Sequence, residues 1–209
     1  MTNVAVIYYS SQGNVHRLAV AAAAAAEKAG AEVRLRRTAE LTTESVVPDN
    51  AVWNAAWAEH LDAVQDVPEA TLEDLEWADA VLWGTPGRYG LPAASLKQFI
   101  DQTLPLHSRR GLLNKVMSSF TSTATLHGGQ ESTLLALNNA FYHWGAIIVP
   151  PGIADPIQLT PHNGNPYGVS SVSANQPGNV HEDHLAAIEY QARRTVEIAA
   201  ALGRGLRTA

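Results

Sequence analysis

The stretch Val4-Ala5-Val6-Ile7-Tyr8-Tyr9-Ser10-Ser11-Gln12-Gly13-Asn14-Val15 decides the fold. A continuous apolar run, short enough for a strand covered on both faces, ends in a hydroxyl-rich turn with one glycine. A helix-forming stretch begins near His16. The turn therefore sits at a helix N-terminus, where free backbone N–H groups and the positive end of the helix dipole meet. That is a pocket for a phosphate. The turn has no Lys or Arg and matches neither G-x-G-x-x-G nor G-x-x-x-x-G-K-[ST], which argues against a dinucleotide or a nucleoside triphosphate. A single phosphomonoester held by neutral hydrogen bonds is the better match.

Working outward, four more apolar runs read as strands: Glu32 to Arg36, Ala80 to Trp83, Val116 to Phe120 and Ala146 to Val149. Between and after them come helical patterns. Pro92 to Asp101 sets Leu96, Phe99 and Ile100 on one face, Gln130 to Tyr142 does so with Leu134, Leu137 and Phe141, and Asp183 to Leu202 with Leu185, Ile188, Val196 and Ala199. The alanine run Ala21 to Ala26 is bracketed closely by Arg17 and Glu27-Lys28, so it reads as a buried helix side and not a membrane span. Alternating strands and helices predict an α/β fold: a doubly wound, five-stranded parallel sheet of flavodoxin-like order, with helices on both faces.

The 209 residues, with 46% hydrophobic composition, suit one domain spanning 1–209 with two insertions. The first, at about 41–71, carries Trp53, Trp57, Leu61 and Val64 in helical spacing and reads as a short amphipathic helix. The tryptophan pair suits packing at a subunit boundary, with capping of a cleft as the alternative. The second, at about 150–180, carries Pro150, Pro151, Pro156, Pro161, Pro166 and Pro177, which forbid a long helix or central strand. A loop of that length is expected to be functional or an oligomer contact.

A net charge of -6 leaves no extended basic surface, so nucleic acid is not an expected partner. The absence of Cys excludes disulfides and thiolate chemistry. A strand beginning this close to Met1 leaves no space for a secretory leader, and the expected location is cytoplasmic.

In an open α/β sheet, ligands bind outside the carboxyl ends of the strands. Two further loops follow strands at that edge: Gly84-Thr85-Pro86-Gly87-Arg88-Tyr89-Gly90 and Thr121-Ser122-Thr123-Ala124-Thr125-Leu126-His127-Gly128-Gly129. The second offers close backbone approach, a cation and an aromatic ring. The third offers small hydroxyls and N–H groups for ring carbonyls and nitrogens. A phosphate at one end and a planar polar ring at the other describe FMN.

The motifs V-I-Y-Y-S-x-x-G-N, W-G-T-P-x-R-Y-G, F-I-D-Q-T, F-x-S-T-x-T-x-x-G-G-Q-E and N-P-Y-G, spread from Val4 to about Ala200, resemble the WrbA-type NAD(P)H:quinone oxidoreductases. The resemblance implies non-covalent FMN, hydride transfer from NADH or NADPH to the flavin, and two-electron reduction of a quinone in a ping-pong cycle. It also implies a homotetramer with each flavin near a subunit boundary.

By the same resemblance, Ser10, Ser11, Gln12, Gly13, Asn14 and Val15 hold the phosphate, and Thr85, Pro86, Gly87, Arg88 and Tyr89 flank the isoalloxazine. Ser122, Thr123, Ala124, Thr125, Leu126 and His127 hold the ribityl chain and ring edge. His143 corresponds to the family histidine near the pyrimidine end of the flavin, able to stabilise negative charge or relay a proton and to come from a neighbouring subunit. It is the expected catalytic residue. Gln12 stands where many members have an aromatic residue, and His107 near a tryptophan that covers the substrate cleft, so both are assigned to substrate. The third loop departs too, with Ala124 for glycine and an extra residue around Leu126-His127.

The competing reading is a flavodoxin-like electron carrier without turnover, disfavoured by the modest acidity and by the 150–180 segment. His181-x-x-His184 has the spacing of a metal pair, but without a third ligand it reads as a solvated helix N-terminus, and no metal is expected.

Overall fold

The computed structural model describes residues 1–47 and 49–208. The chain runs β1 (Thr2–Tyr8), α1 (Asn14–Lys28), β2 (Ala31–Arg37), α2 (Ala51–Ala63), α3 (Leu72–Trp77), β3 (Ala80–Pro86), α4 (Ala94–Asp101), α5 (Leu104–Ser108), β4 (Val116–Thr123), α6 (Gln130–Trp144), β5 (Ile147–Ile148), β6 (Ser170–Val172) and α7 (Glu182–Thr208). All pairings among these strands are parallel, in the order β2-β1-β3-β4-β5. This is the doubly wound flavodoxin-like order expected from the alternation of strands and helices.

The sheet has six strands, not five. β5 pairs with the start of β4 at Val116 and Met117, and β6 pairs with its end at Thr121, Ser122 and Thr123. With β3 along the other side of β4, the two short strands share one lane. The fifth strand is therefore divided, and the proline-rich segment leaves the sheet after β5 and returns to it as β6.

Alternate residues of the central strands face opposite layers. Val4, Val6, Tyr8, Leu82 and Phe120 pack with Leu18, Ala22 and Ala26 of α1 and with Ile188, Ala192 and Val196 of α7. Ala5, Ile7, Val81, Trp83 and Met117 pack with Leu96 and Phe99 of α4 and with Leu137, Phe141 and Trp144 of α6. The small side chains of α1 let that helix approach the sheet closely. Tyr8 and Tyr9 are both buried, one in each layer.

Two buried polar contacts fasten the edges. Gln191 of α7 accepts from Val169 N at 2.8 Å and donates to Ser118 Oγ at 2.7 Å and Ser119 O at 2.8 Å, locking helix, insertion and β4 together. Asp74 joins α3 to β2: it closes a capping box with Thr71 and accepts from Arg34 at 3.1 Å and Arg36 at 3.0 Å. Burial alone would raise the Asp74 carboxyl, but hydrogen bonds from Thr71, Arg36 and Arg34 outweigh it and hold the group below its ordinary value.

Candidate functional site

The carboxyl ends of β1, β3 and β4 open on a single cleft. Its lining comprises Ser10, Ser11, Gln12, Asn14 and Val15 from the first loop, Pro86, Gly87 and Arg88 from the second, and Ser122, Thr123 and Ala124 from the third. Three loops far apart in sequence thus meet as the strand order predicts.

Gly13 caps α1 in the left-handed conformation at φ 86°, and its N–H bonds to Ser10 Oγ at 3.1 Å. The first intrahelical bond runs from Arg17 N to Gly13 O at 2.9 Å, so the N–H groups of Asn14, Val15 and His16 precede it, at the positive end of the helix. The loop is braced from behind. Asn14 Nδ2 donates to Gln176 O and Asn179 O, Arg17 donates to Gly178 O, and Gly178 N donates to Gln12 O.

One expectation needs correcting. The first loop contains no cation of its own, yet the Arg88 guanidinium reaches across from the second loop and donates to Ser11 Oγ at 2.9 Å. The donors around the turn are therefore not all neutral. Spacing along the first loop could not reveal an arginine delivered by a different strand end.

The other expected contacts divide. Thr85 is fully buried, accepts from Ala93 N at 2.9 Å and donates to Pro86 O, so it shapes its own loop. Tyr89 projects fully into solvent beside a wider basin of about 710 Å³, which joins the narrow cleft, about 90 Å³, at Trp53, Gly87 and Arg88. Thr125 turns its carbonyl to Thr123 Oγ1 and Gln130 Nε2, while Leu126 and His127 are exposed and outside the cleft lining. His107 and His143 lie together in a separate depression with Ile100, Thr103 and Trp144, and within one chain neither lines the cleft.

Trp53, Ser173 and Asn175 complete the cleft wall; the sequence offers Trp53 only as an alternative cap and no sign of Ser173 or Asn175. Trp53 and Trp57 separate: Trp53 borders the cleft, with Arg88 5.9 Å over its ring, and Trp57 Nε1 donates to Glu40 at 3.2 Å. For Trp53 the geometry matches the cleft-capping alternative. Tyr9 donates to the same Glu40 carboxylate at 3.0 Å, which ties α2 to the end of β1.

Behind the first loop lie two imidazoles. His16 Nδ1 is 2.6 Å from Tyr8 Oη, and the rings of His16 and His60 are 5.5 Å apart. Burial lowers both histidines; for His60, the neighbouring His16 lowers it further and a hydrogen bond with the Ser10 backbone opposes this, leaving it at about 4. His60 is neutral near pH 7, and for His16 burial likewise disfavours the charged form.

The residues present fit FMN. The Trp53 indole Nε1 is buried without a partner at the cleft wall, the α1 terminus suits a phosphate, and the adjoining basin has an apolar lining that suits a flat ring system. Together with the strand order, this defines a flavodoxin-like protein built to hold a flavin mononucleotide. The chain belongs to the NADPH-dependent FMN reductase family, whose model matches residues 2–157.

Among its relatives, a Deinococcus radiodurans protein named NAD(P)H dehydrogenase (quinone) is 40% identical over 95% of this chain and 96% of its own length. A protein of the same name from Sinorhizobium fredii is 39% identical over 97% of this chain and 99% of its own. Among solved structures, a WrbA-like flavodoxin protein from Agrobacterium tumefaciens superposes with a TM-score of 0.64 at 20% identity, over 96% of this chain and 99% of that one. At that identity it supports the fold alone.

Proposed function

We propose that this protein is an FMN-dependent NAD(P)H:quinone oxidoreductase. The observation that carries this reading is the meeting of three strand-end loops in one cleft at the α1 N-terminus, beside an apolar basin open to a second planar molecule. When bound, FMN would supply the two-electron redox chemistry between NADH or NADPH and a quinone.

The chain binds and orients. Ser10, Ser11 and the N–H groups at the start of α1 hold the phosphate, with Arg88 adding positive charge. Ser122, Thr123, Ser173 and Asn175, which line the cleft, would hold the polar chain. Gly87, Arg88 and Trp53 flank the passage to the basin, where the flavin ring would lie and donor and acceptor would take turns against it.

His143 and His107 enter this reading through a second copy. Their shared depression has no lining residue in common with the chain's own cleft, and in a homo-oligomer, a tetramer by family resemblance, they would reach a neighbour's flavin. His143 would then stabilise negative charge at the ring's pyrimidine end, and His107 and Gln12 would contact substrate. The proposed location is cytoplasmic; among the described residues no helix is long and apolar enough to cross a membrane.

The experiment is steady-state turnover of an FMN-loaded sample with NADH or NADPH and benzoquinone, alongside its light-scattering mass. Turnover that falls in His143→Ala with FMN still bound, in a multimeric sample, is the expected result. Stoichiometric FMN with negligible turnover would favour a one-electron carrier.

A further inference from the structure

The proline-rich segment and the first turn of α7 bring together three side chains that the flavin site does not use. The imidazoles of His162 and His181 lie face to face, their centroids 3.6 Å apart and their planes 22° from parallel. Asp183 Oδ2 is 2.9 Å from His162 Nδ1 and 3.8 Å from His181 Nδ1, and His181 Nδ1 accepts from Asp183 N at 3.2 Å, a bond the ion would replace. One ligand atom from each of the three lies within 4.8 Å of the other two. In a tetrahedral site with bonds of about 2.0–2.1 Å, neighbouring ligand atoms stand about 3.3 Å apart. The two observed separations bracket that edge.

The pair suggested by sequence spacing is not the pair the fold assembles. His184 is buried and its Nδ1 contacts Asn163 Oδ1 at 3.1 Å, while Asn163 Nδ2 donates to Asp183 O at 2.9 Å and Ile157 O at 3.0 Å. His184 and Asn163 thus fasten the loop carrying His162 to the helix carrying Asp183. The missing third ligand comes from nineteen positions upstream of His181. The ligands are held near one another by neighbours that do not themselves belong to the set.

Two imidazoles and one carboxylate suit a borderline first-row divalent ion, whereas calcium and magnesium favour all-oxygen shells. The side chains of His162 and His181 are about half exposed, at 46% and 49%, which leaves a fourth position for water. Glu182 and Asp183 offset the unfavourable helix end that a cation would face.

We propose that His162, His181 and Asp183 bind one divalent transition-metal ion, zinc being the best match, and that the ion clips the proline-rich segment to α7. His181 is two positions beyond Asn179, the end of the stretch from Gln176 that braces the phosphate loop, so the clip lies at the far end of that brace.

The test titrates zinc chloride by calorimetry into the full chain as purified, freed of tag and metal, and repeats the titration with cobalt chloride followed by visible absorbance. One equivalent bound at micromolar or tighter affinity, weakened at least about tenfold in His162→Gln and in His181→Gln, is expected. The cobalt bands should disappear in the double variant, whose circular dichroism should match the parent's. Binding only at millimolar zinc, or one-equivalent binding of unchanged affinity in the folded double variant, would overturn the proposal.

Discussion

The Arg88 guanidinium donates to the Ser11 hydroxyl at 2.9 Å, so one strand-end loop supplies another with the charge it lacks. Burial weakens Arg88's hold on its proton, and Tyr9 and Tyr89 oppose that effect. A charge-assisted hydrogen bond contributes about 1.5–3 kcal/mol. Arg88→Met should therefore weaken FMN binding by roughly tenfold to a hundredfold, read by quenching of flavin fluorescence. Arg88→Lys should recover only part, because an ammonium lacks the planar fork. An unchanged dissociation constant in Arg88→Met would show that this cation does not serve the phosphate.

Gly87 lies where the second and third loops touch. A Cβ there would stand 2.7 Å from Thr123 Cγ2 and 3.0 Å from Thr133 Oγ1, so Thr123 or the loop backbone must shift to admit it. Gly87→Ala is expected to lower FMN affinity about tenfold, about 1.4 kcal/mol, while the melting temperature of the FMN-free protein moves by only a few degrees. A large drop in melting temperature with intact affinity would place the strain elsewhere.

Acid should loosen the wall behind the phosphate loop. His60 and His16 have folded-state values below those of an unfolded chain, His60 at about 4, so the unfolded state takes up protons first. The His60 contribution to stability is complete above about 6.5 and fades as pH falls toward about 4, and that of His16 changes in the same direction. Urea unfolding at pH 7 and pH 5 should show lower stability at pH 5, with a shallower dependence in His60→Leu. The same slope in that variant would exclude His60 as the source.

Asp74 is nearly inaccessible and accepts from two arginines of β2. Replacing it with Ala takes the nearer carboxylate from Arg34, which keeps Glu73 at 3.7 Å, and leaves Arg36 with the Leu35 carbonyl. It also removes the side-chain half of the capping box while the Thr71 half stays, and the whole change costs about 1–3 kcal/mol. Chemical denaturation measures this directly. A loss below about 1 kcal/mol would mean that solvent screens the pair.

The central strands were legible because runs such as Val4 to Tyr9 need burial on both faces whatever follows. Their ends were less so: β3 continues through Gly84-Thr85-Pro86 and β4 through Thr121-Ser122-Thr123, polar residues held in extended form by pairing with neighbouring strands. Periodicity cannot mark helices as short as Leu72–Trp77 and Leu104–Ser108, although Thr71 and Asp74 carried a capping signal for the first. β6 was hidden because three residues amid prolines and glycines become a strand only beside β4. In the cleft, residues attached to strand ends were found, whereas Trp53, Ser173 and Asn175 arrive from insertions whose destination depends on tertiary packing. Thr125, Leu126 and His127 show the converse: motif neighbours that the turn directs away.

The divided fifth lane also bears on the order in which the molecule assembles. β5 follows α6 immediately and can dock on β4 as that helix packs, whereas β6 must wait until the long proline-rich excursion has closed. Ser173 and Asn175 lie just beyond β6, so that wall of the cofactor pocket exists only where the excursion has returned to β4. Retention of flavin would then report that this excursion has closed.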